Sequence, residues 1–461
     1  MNDSNSSLYA KRQKIYPRQV HGLYAFWRTT GVVVLLGLYY ILPWVKWNGE
    51  QAVLFDLPAR KFHLFGLTLW PQDFIYLALL LILAALTLFF FTALAGRLWC
   101  GYACPQTVWT EIFMWIERKI EGDRSKQIKL DKQHWNRKKI LLKGSKHVIW
   151  IVFSLYTGLT FVGYFTPIAE LTYSLLHWTL GPWETFWIFF YGFATYGNAG
   201  WMREQVCIYM CPYARFQSAM FDKNTLIISY DKKRGEPRGS RRKSADPKAL
   251  GLGDCVDCTL CQQVCPTGID IRDGLQYQCI ACAACVDVCD EVMEKLDYPK
   301  GLIRYTTENR LQGKETKILR PRVILYGVLL ASLTGILLYS LATRIPIQFN
   351  VIRDRAQLYR TADNGMIENL YTLKIANMDL KDHLYRIKLS GPDGLALRHR
   401  RDRIKVPAGE LIELPVTLQI RPEKIARPRV TISITVTDST DSKLSKTVET
   451  SFFAPVRRHA N

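Results

Sequence analysis

The sequence predicts a polytopic α-helical membrane protein of five spans, with a cysteine-rich insert before the last span and a β-sandwich at the C-terminus. Three observations point there. Long apolar runs alternate with basic segments, all twelve cysteines fall between Cys100 and Cys289, and residues 346 to 455 alternate apolar and polar side chains with a period of two.

At 461 residues the chain exceeds one ordinary domain. Hydrophobic residues make up 49% and charged residues 22%, so apolar and charged material must be segregated along the chain. The net charge of +21 would suit nucleic acid in a soluble protein. Here the basic runs flank apolar spans, which is the distribution of a membrane protein, and no nucleic-acid partner is expected. Met1 to Arg28 is polar and basic without an apolar core, so no removable signal peptide is expected.

An apolar run of about 20 residues crosses a bilayer as a helix, because the backbone must satisfy its polar groups within the segment. Five such runs lie near Thr29 to Val45, Phe74 to Gly96, Val148 to Thr166, Pro182 to Ala199 and Val323 to Ala342. The fourth is the weakest, being short and interrupted by glycine. Trp44, Trp47, Trp70, Trp99, Trp150, Trp183 and Trp201 fall near the predicted ends, where interfacial anchors are expected. Residues 117 to 147 carry eleven Lys and Arg, whereas Pro167 to Gly181 carries none. By the positive-inside bias the N-terminus and the second and fourth loops are cytoplasmic, in agreement with the run Arg241, Arg242, Lys243. Five spans then place everything after Ala342 in the bacterial periplasm, and the protein in the inner membrane. The expected division is a cytoplasmic N-terminus (1–28), a four-span unit (29–221), a linker and insert (222–322), a fifth span (323–345) and the tail (346–461).

Half-buried strands are read in the tail from Tyr371, Leu373 and Ile375, from Ile412, Leu414, Val416 and Leu418, and from Val430, Ile432, Ile434 and Val436. Turn residues at Gly391 to Gly394 and Pro407 to Gly409 space them as in an immunoglobulin-like sheet pair.

The strongest signal is Cys255-x2-Cys258-x2-Cys261-x3-Cys265-Pro266, followed by Cys279-x2-Cys282-x2-Cys285-x3-Cys289. This is the spacing of bacterial two-cluster ferredoxins: three thiolates from one tight turn occupy three corners of a cubane, and the fourth cysteine of each run ligates the other cluster. Cluster one is expected on Cys255, Cys258, Cys261 and Cys289, and cluster two on Cys279, Cys282, Cys285 and Cys265. Paired zinc sites would not explain the third cysteine of each run. Asp290 stands where a second proline often follows.

A second pair of motifs, Cys100-Gly-Tyr-Ala-Cys104-Pro105 and Cys207-Ile-Tyr-Met-Cys211-Pro212, follows the even-numbered spans. Cysteines four apart would share one helical face, with the proline marking a boundary. The repeat implies a parallel duplication with both thiol pairs at the cytoplasmic surface. Four converging thiols suit Cu(I) or a further redox centre, and equally simple helix packing or reversible thiol chemistry. The lone histidines sit in no motif, and Gly251-Leu-Gly253 lacks the third glycine of a dinucleotide fingerprint.

The order of these parts, with Gly301-Leu-Ile-Arg-Tyr305 after the clusters, resembles the FixG/CcoG family of cytochrome c oxidase accessory proteins. The membrane unit is also similar to quinol-dehydrogenase subunits of the NapH type, and the sandwich tail separates the two. The resemblance implies two 4Fe-4S clusters and an oxidoreductase acting in cbb(3)-type haem-copper oxidase assembly. There it would reduce Cu(II) to Cu(I), with Cys100, Cys104, Cys207 and Cys211 as the copper or redox thiols. Expected partners are the membrane, the oxidase or its copper chaperones and an electron donor of unknown identity, with homo-oligomerisation left open. A quinol-linked electron-transfer subunit and a non-redox scaffold are the alternatives.

Overall fold

The computed structural model describes residues 14–242, 246–247, 249–379, 381–398, 403–425 and 427–455. Lys243 and residues 1–13 of the N-terminal segment read above lie outside them. The chain divides into two compact units, residues 1–46 with 77–335, and residues 47–76 with 336–461.

The first unit is helical. Its principal helices are α1 (Leu23–Ile41), α2 (Phe74–Ala95), the short α3 (Leu98–Tyr102), α4 (Pro105–Glu121), α5 (Arg137–Val162), α6 (Pro182–Thr195), α7 (Pro212–Met220), α8 (Ala284–Lys295) and α9 (Pro321–Ala342). Helices α2 and α9 continue across the division between the units. Among the described residues, four helical segments are long and apolar enough to cross a membrane: Leu23–Trp44, Phe74–Ala95, Arg137–Val162 and Pro321–Ala342. Helix α5 begins eleven residues before the predicted span, because the Asn136 side chain accepts from the Lys139 N–H and caps it there. The predicted fourth span is the 14-residue α6, too short alone, which runs on through a π-helical stretch, Tyr196–Met202. Helices α5 and α6 pack antiparallel with their backbones in contact. A Cβ on Gly158 would lie 2.3 Å from the Ile188 carbonyl oxygen, and one on Gly200 would press on Trp150 and Phe113. Small residues permit that approach.

A buried ion network ties α4, α5 and the turn after α6, and no sequence pattern announced it. Glu117 pairs with Lys146 (3.1 Å) and Arg203 (2.8 Å), and Glu121 with Lys146 (2.7 Å) and Lys143 (2.8 Å). Trp150, expected at a membrane interface, is instead buried at the centre of this network. Its indole N–H donates to the Phe113 carbonyl, and Lys146 and Arg203 lie over its ring. Trp70 is likewise buried, beneath Lys61, whereas Trp44, Trp47, Trp99, Trp183 and Trp201 are exposed.

The second unit joins a small antiparallel sheet, β1 (Val53–Asp56), β2 (Lys61–Leu64) and β3 (Leu67–Leu69), with the tail. Arg344 pairs with Asp73 at 2.6 Å and donates to the Thr68 carbonyl. After β4 (Ile227–Tyr230) and β5 (Ile303–Thr306) of the first unit, the described residues of the tail supply, besides the two-residue strand Arg360–Thr361, eight further strands. They are β6 (Ile347–Arg353), β7 (Ile367–Asn377), β8 (His383–Ser390), β9 (Ala396–Leu397), β10 (Ile404–Val406), β11 (Leu411–Ile420), β12 (Arg429–Asp438) and β13 (Ser445–Phe453). One sheet runs β9-β11-β7-β6, with Arg360–Thr361 also paired to β7, and the other β10-β8-β12-β13. The alternation read from sequence builds the core between them: Tyr371, Leu373, Ile375, Leu418, Ile432, Ile434 and Val436 are buried.

Candidate functional site

Strands β4 and β5 pair antiparallel, Ile227 with Thr306 through Tyr230 with Ile303, and close the insert at its base. The stretch Gly301 to Tyr305 thus forms the closing strand. Within the insert the two cysteine runs adopt the same backbone. The residues on either side of each middle cysteine, Asp257 and Thr259 around Cys258, Ala281 and Ala283 around Cys282, all have φ between 52° and 58°. Left-handed residues flanking a cysteine curl the chain tightly, and non-glycine residues hold that conformation where the surroundings over-determine it. Each curl then enters a helix, Leu260–Gln263 in the first run and α8 in the second. Asp290, the departure from the common pattern, lets α8 continue to Lys295 and accepts from the Gly301 N–H at 2.8 Å.

Two small cavities lie inside the insert. Cys255, Cys258, Cys261 and Cys289 line one, beside Arg272 and Met293. Cys265, Cys279, Cys282 and Cys285 line the other, beside Ile228 and Ile271, with Cys261 also on its wall. Among the described residues no three His, Cys, Asp or Glu side chains close in as they would on a single ion. Ringed cavities of soft ligands fit cubane clusters better than mononuclear zinc. Burial pushes the Cys261, Cys279 and Cys289 thiols up to about 12, so ligation there releases protons. Cations stand close by: Arg272, bound to Asp270 and Asp257, borders the first cavity, and Arg28 donates to the Cys282 carbonyl at 2.5 Å. Asp287, between Cys285 and Cys289, accepts from the N–H groups of Tyr24 and Ala25, so the insert caps the first membrane helix.

The thiol hairpins meet this insert directly. A Cβ on Gly101 would lie 2.8 Å from the Ile280 carbonyl oxygen and 2.9 Å from the Cys282 Cα, so the Cys100-Gly-Tyr turn rests on the second cysteine loop. Tyr102 is hydrogen-bonded to Tyr305 (3.2 Å), which donates to the Ala281 carbonyl at 2.5 Å. Arg97 donates to the carbonyls of Tyr277 and Ala214, spanning the insert and the second hairpin. The two cysteines of a hairpin do not share one helical face, contrary to expectation. Cys100 lies in α3, but Cys104 is extended (ψ 128°) and caps α4, with Pro105 at its first position; Cys211 stands likewise before α7. Proline excludes the helical conformation from the residue before it and starts the next helix instead.

The two hairpins nevertheless lie against one another, for Gln106 of α4 donates to the carbonyls of Asn198 and Arg203, and Arg97 to that of Ala214. Burial pushes Cys100 up to about 11 and Cys207 up to about 12, and Cys100 donates to the Gln217 side-chain oxygen. Sequence reading missed Arg28, Arg97, Gly101 and Gln217; the available signal was Gly101 against Ile208, an asymmetry between otherwise similar motifs. Gly101→Val is expected to push the Cys282 loop aside and lower iron content, measured by metal analysis of the purified protein. An unchanged iron content would show that this contact does not position the loop.

Residues 202–308 match the family of 4Fe-4S dicluster domains, and residues 77–122, which contain Cys100 and Cys104, match a 4Fe-4S binding domain. With the paired cysteine loops and the apolar helices, this defines an iron–sulfur protein of the membrane-anchored ferredoxin type. Residues 337–455 match the immunoglobulin-like fold at the C-terminus of FixG. The chain is 36% identical over 466 residues to the nitrogen fixation protein FixG of Rhizobium meliloti, covering 93% of this chain and 87% of that one. It is 41% identical over 423 residues to protein RdxA of Cereibacter sphaeroides, covering 89% and 87%. The chain belongs to the FixG family. Among solved structures it is similar to a FixG-related protein from Vibrio parahaemolyticus, with 31% identity, 24% of this chain and 98% of that one covered, and a TM-score of 0.22.

Proposed function

We propose that this protein carries electrons through two 4Fe-4S clusters to Cu(II), reducing it to Cu(I) for the copper centre of a cbb(3)-type oxidase. The observation that carries this reading is the seam at Gly101, where the hairpin of Cys100 and Cys104 lies against the loop of Cys279 and Cys282. Cys255, Cys258, Cys261 and Cys289 would hold one cluster, and Cys279, Cys282, Cys285 and Cys265 the other. When bound, such clusters supply one-electron transfer. The chain's own groups do the rest. Arg28, Arg97 and Arg272 offset the negative charge of ligated thiolates, and the left-handed curls fix the cysteine positions. Cys100, Cys104, Cys207 and Cys211 offer soft sulfur to the substrate ion. Cu(II) gains one electron and becomes Cu(I), which soft thiolates prefer, and each raised thiol surrenders its proton on binding.

The membrane topology supports this division of labour. Residues 47–73 follow α1, and the Arg344–Asp73 pair joins them to the chain beyond α9. Two segments on one side of a membrane are separated by an even number of crossings. Helices α2, α5 and α9 make three, so α6 with its π-helical extension, 21 residues from Pro182 to Met202, supplies the fourth. The five-span arrangement then has the insert and basic loops cytoplasmic in a bacterial inner membrane, with the tail periplasmic. In that position the sandwich would dock the oxidase or its copper chaperone.

Replacing Cys100, Cys104, Cys207 and Cys211 together by Ser is expected to abolish copper reduction while leaving iron content at the wild-type level. A copper-chelator colour assay beside metal analysis measures both; undiminished reduction would sink the copper role of the hairpins.

A further inference from the structure

The two cysteine loops share one backbone but not one setting. Around Cys282 each carbonyl of the curl is held by another group. The Ile280 carbonyl lies against Gly101, the Ala281 carbonyl accepts from the Tyr305 hydroxyl at 2.5 Å, and the Cys282 carbonyl accepts from Arg28 at 2.5 Å. The Ala283 carbonyl accepts from the N–H groups of Val286 and Asp287 as α8 begins. The C=O and N–H of a trans peptide point opposite ways. Tyr305 and Arg28 therefore turn the N–H groups of Cys282 and Ala283 away from themselves, and both residues line the second cavity. Burial raises the Cys279 and Cys282 thiols, and the N–H groups of Ala281 and Ala284 work against it. Around Cys258 the setting is open: among the described residues no group donates to the carbonyls of Val256, Asp257 or Cys258, and Cys258 is exposed.

The charges differ as well. Arg272, beside the first cavity, is neutralised by Asp270 and Asp257, both at 2.5 Å. Beside the second loop, Arg28 and Arg97 meet backbone carbonyls instead, that of Cys282 for Arg28 and those of Tyr277 and Ala214 for Arg97. Among the described residues neither forms an ion pair with a carboxylate. Arg97 is only 4% exposed, so its charge is weakly screened, and its Nε has no partner among the described residues. Glu111, whose charge opposes that of Arg28 at Cys282, is held by Arg118 at 3.2 Å. Burial alone would leave the exposed site the easier to reduce, because a low dielectric disfavours added negative charge. Two cations without carboxylates, and N–H groups turned by fixed carbonyls, reverse that order. We infer that Arg28, Arg97 and Tyr305 make the second site the more easily reduced of the two, so that an electron in the insert comes to rest beside the hairpins. One electron passes from the first site to the second. The first is oxidised as the second is reduced, and no bond or proton changes place. The inference rests on the iron–sulfur part of the proposed function and is independent of the copper part.

The test is a redox titration of the full iron-loaded chain in detergent, with dithionite as reductant and mediator dyes, followed by electron paramagnetic resonance. The signal of the second site is the one missing from Cys285→Ala and kept in Cys258→Ala. In the wild type that signal should appear first as the potential is lowered. Arg28→Gln should shift it to lower potential by about 59 mV or more, a tenfold change in the electron's distribution between the sites, while the other signal stays in place. Arg28→Lys keeps the charge and should recover most of the shift. Tyr305→Phe removes one oxygen and should move the signal the same way by less. A merely structural role would lower iron content without moving a midpoint, so iron is measured for every variant. The inference is overturned if the wild-type second site is not reduced first. It is equally overturned if Arg28→Gln and Tyr305→Phe, with full iron, leave its midpoint unchanged or move both midpoints equally. Where Arg28→Gln loses iron, the wild-type order and Tyr305→Phe decide. A wild-type chain holding fewer than two clusters would instead count against the iron–sulfur reading. A failure of copper reduction with the order of midpoints intact would count against the copper reading and leave this inference standing.

Discussion

Replacing Cys285 by Ala is expected to remove one 4Fe-4S cluster and halve the iron, from about eight to about four atoms per chain, with loss of copper reduction. Cys285 lies on α8 between the two cavities' ligand sets and lines the cavity with Cys265, Cys279 and Cys282. Three ligands from one run do not complete a four-cysteine site. The crossed assignment adds a sharper expectation. Cys265→Ala should remove the same cluster as Cys285→Ala, although Cys265 belongs to the other run, and Cys289→Ala should remove the cluster of Cys255. Resonance spectra of the reduced variants distinguish these outcomes. If Cys265→Ala and Cys258→Ala gave one spectrum and Cys285→Ala and Cys289→Ala another, each run would serve its own cluster and the crossed assignment would fall.

The Glu117→Ala variant is expected to lose about 3–5 kcal/mol of stability, because it leaves Lys146 and Arg203 buried without the carboxylate that compensates them. Their relative exposures are only 3% and 7%, and Lys146 retains Glu121, whereas Arg203 donates to the Gly200 carbonyl and lies over the Trp150 ring. Thermal unfolding in detergent measures the loss. A melting temperature within error of the wild type would show that the network does not hold α4, α5 and the turn after α6 together. The same group gives stability an acid dependence. Burial by itself would raise the Glu117 carboxyl, but the charges of Arg203, Lys146 and Lys14 outweigh it and pull it from 4.5 down to about 2. A depressed carboxyl stabilises the fold fully above its unfolded value. This contribution therefore fades as the pH falls from 4.5 towards about 2, and the variant should lack that part of the acid transition.

The geometry of the hairpins depends on features that a linear reading meets only in part. Cys100, Cys104, Cys207 and Cys211 were legible as two similar motifs, yet the contact between their hairpins, through Gln106 and Arg97, was not. The proline rule located the boundaries at Pro105 and Pro212, while the expectation of one shared helical face failed for the same reason: the residue before proline leaves the helix. Trp150 shows the complementary error. An indole near a predicted span end reads as an interfacial anchor, but it is covered by Phe113, Lys146 and Arg203, which lie 37, 4 and 53 positions away in sequence.

What the sequence determined by itself are the features whose physics is local. Cubane ligation sets the spacing of Cys255 to Cys289, the bilayer sets the length of apolar runs, and a two-faced sheet sets the alternation from Tyr371 to Val436. Tertiary structure alone decided the seam of Gly101 on the Cys282 loop, the Glu117 network and the burial of Trp150 within it. Each of these joins residues far apart in the chain, and their burial and charge compensation exist only once the helices have packed.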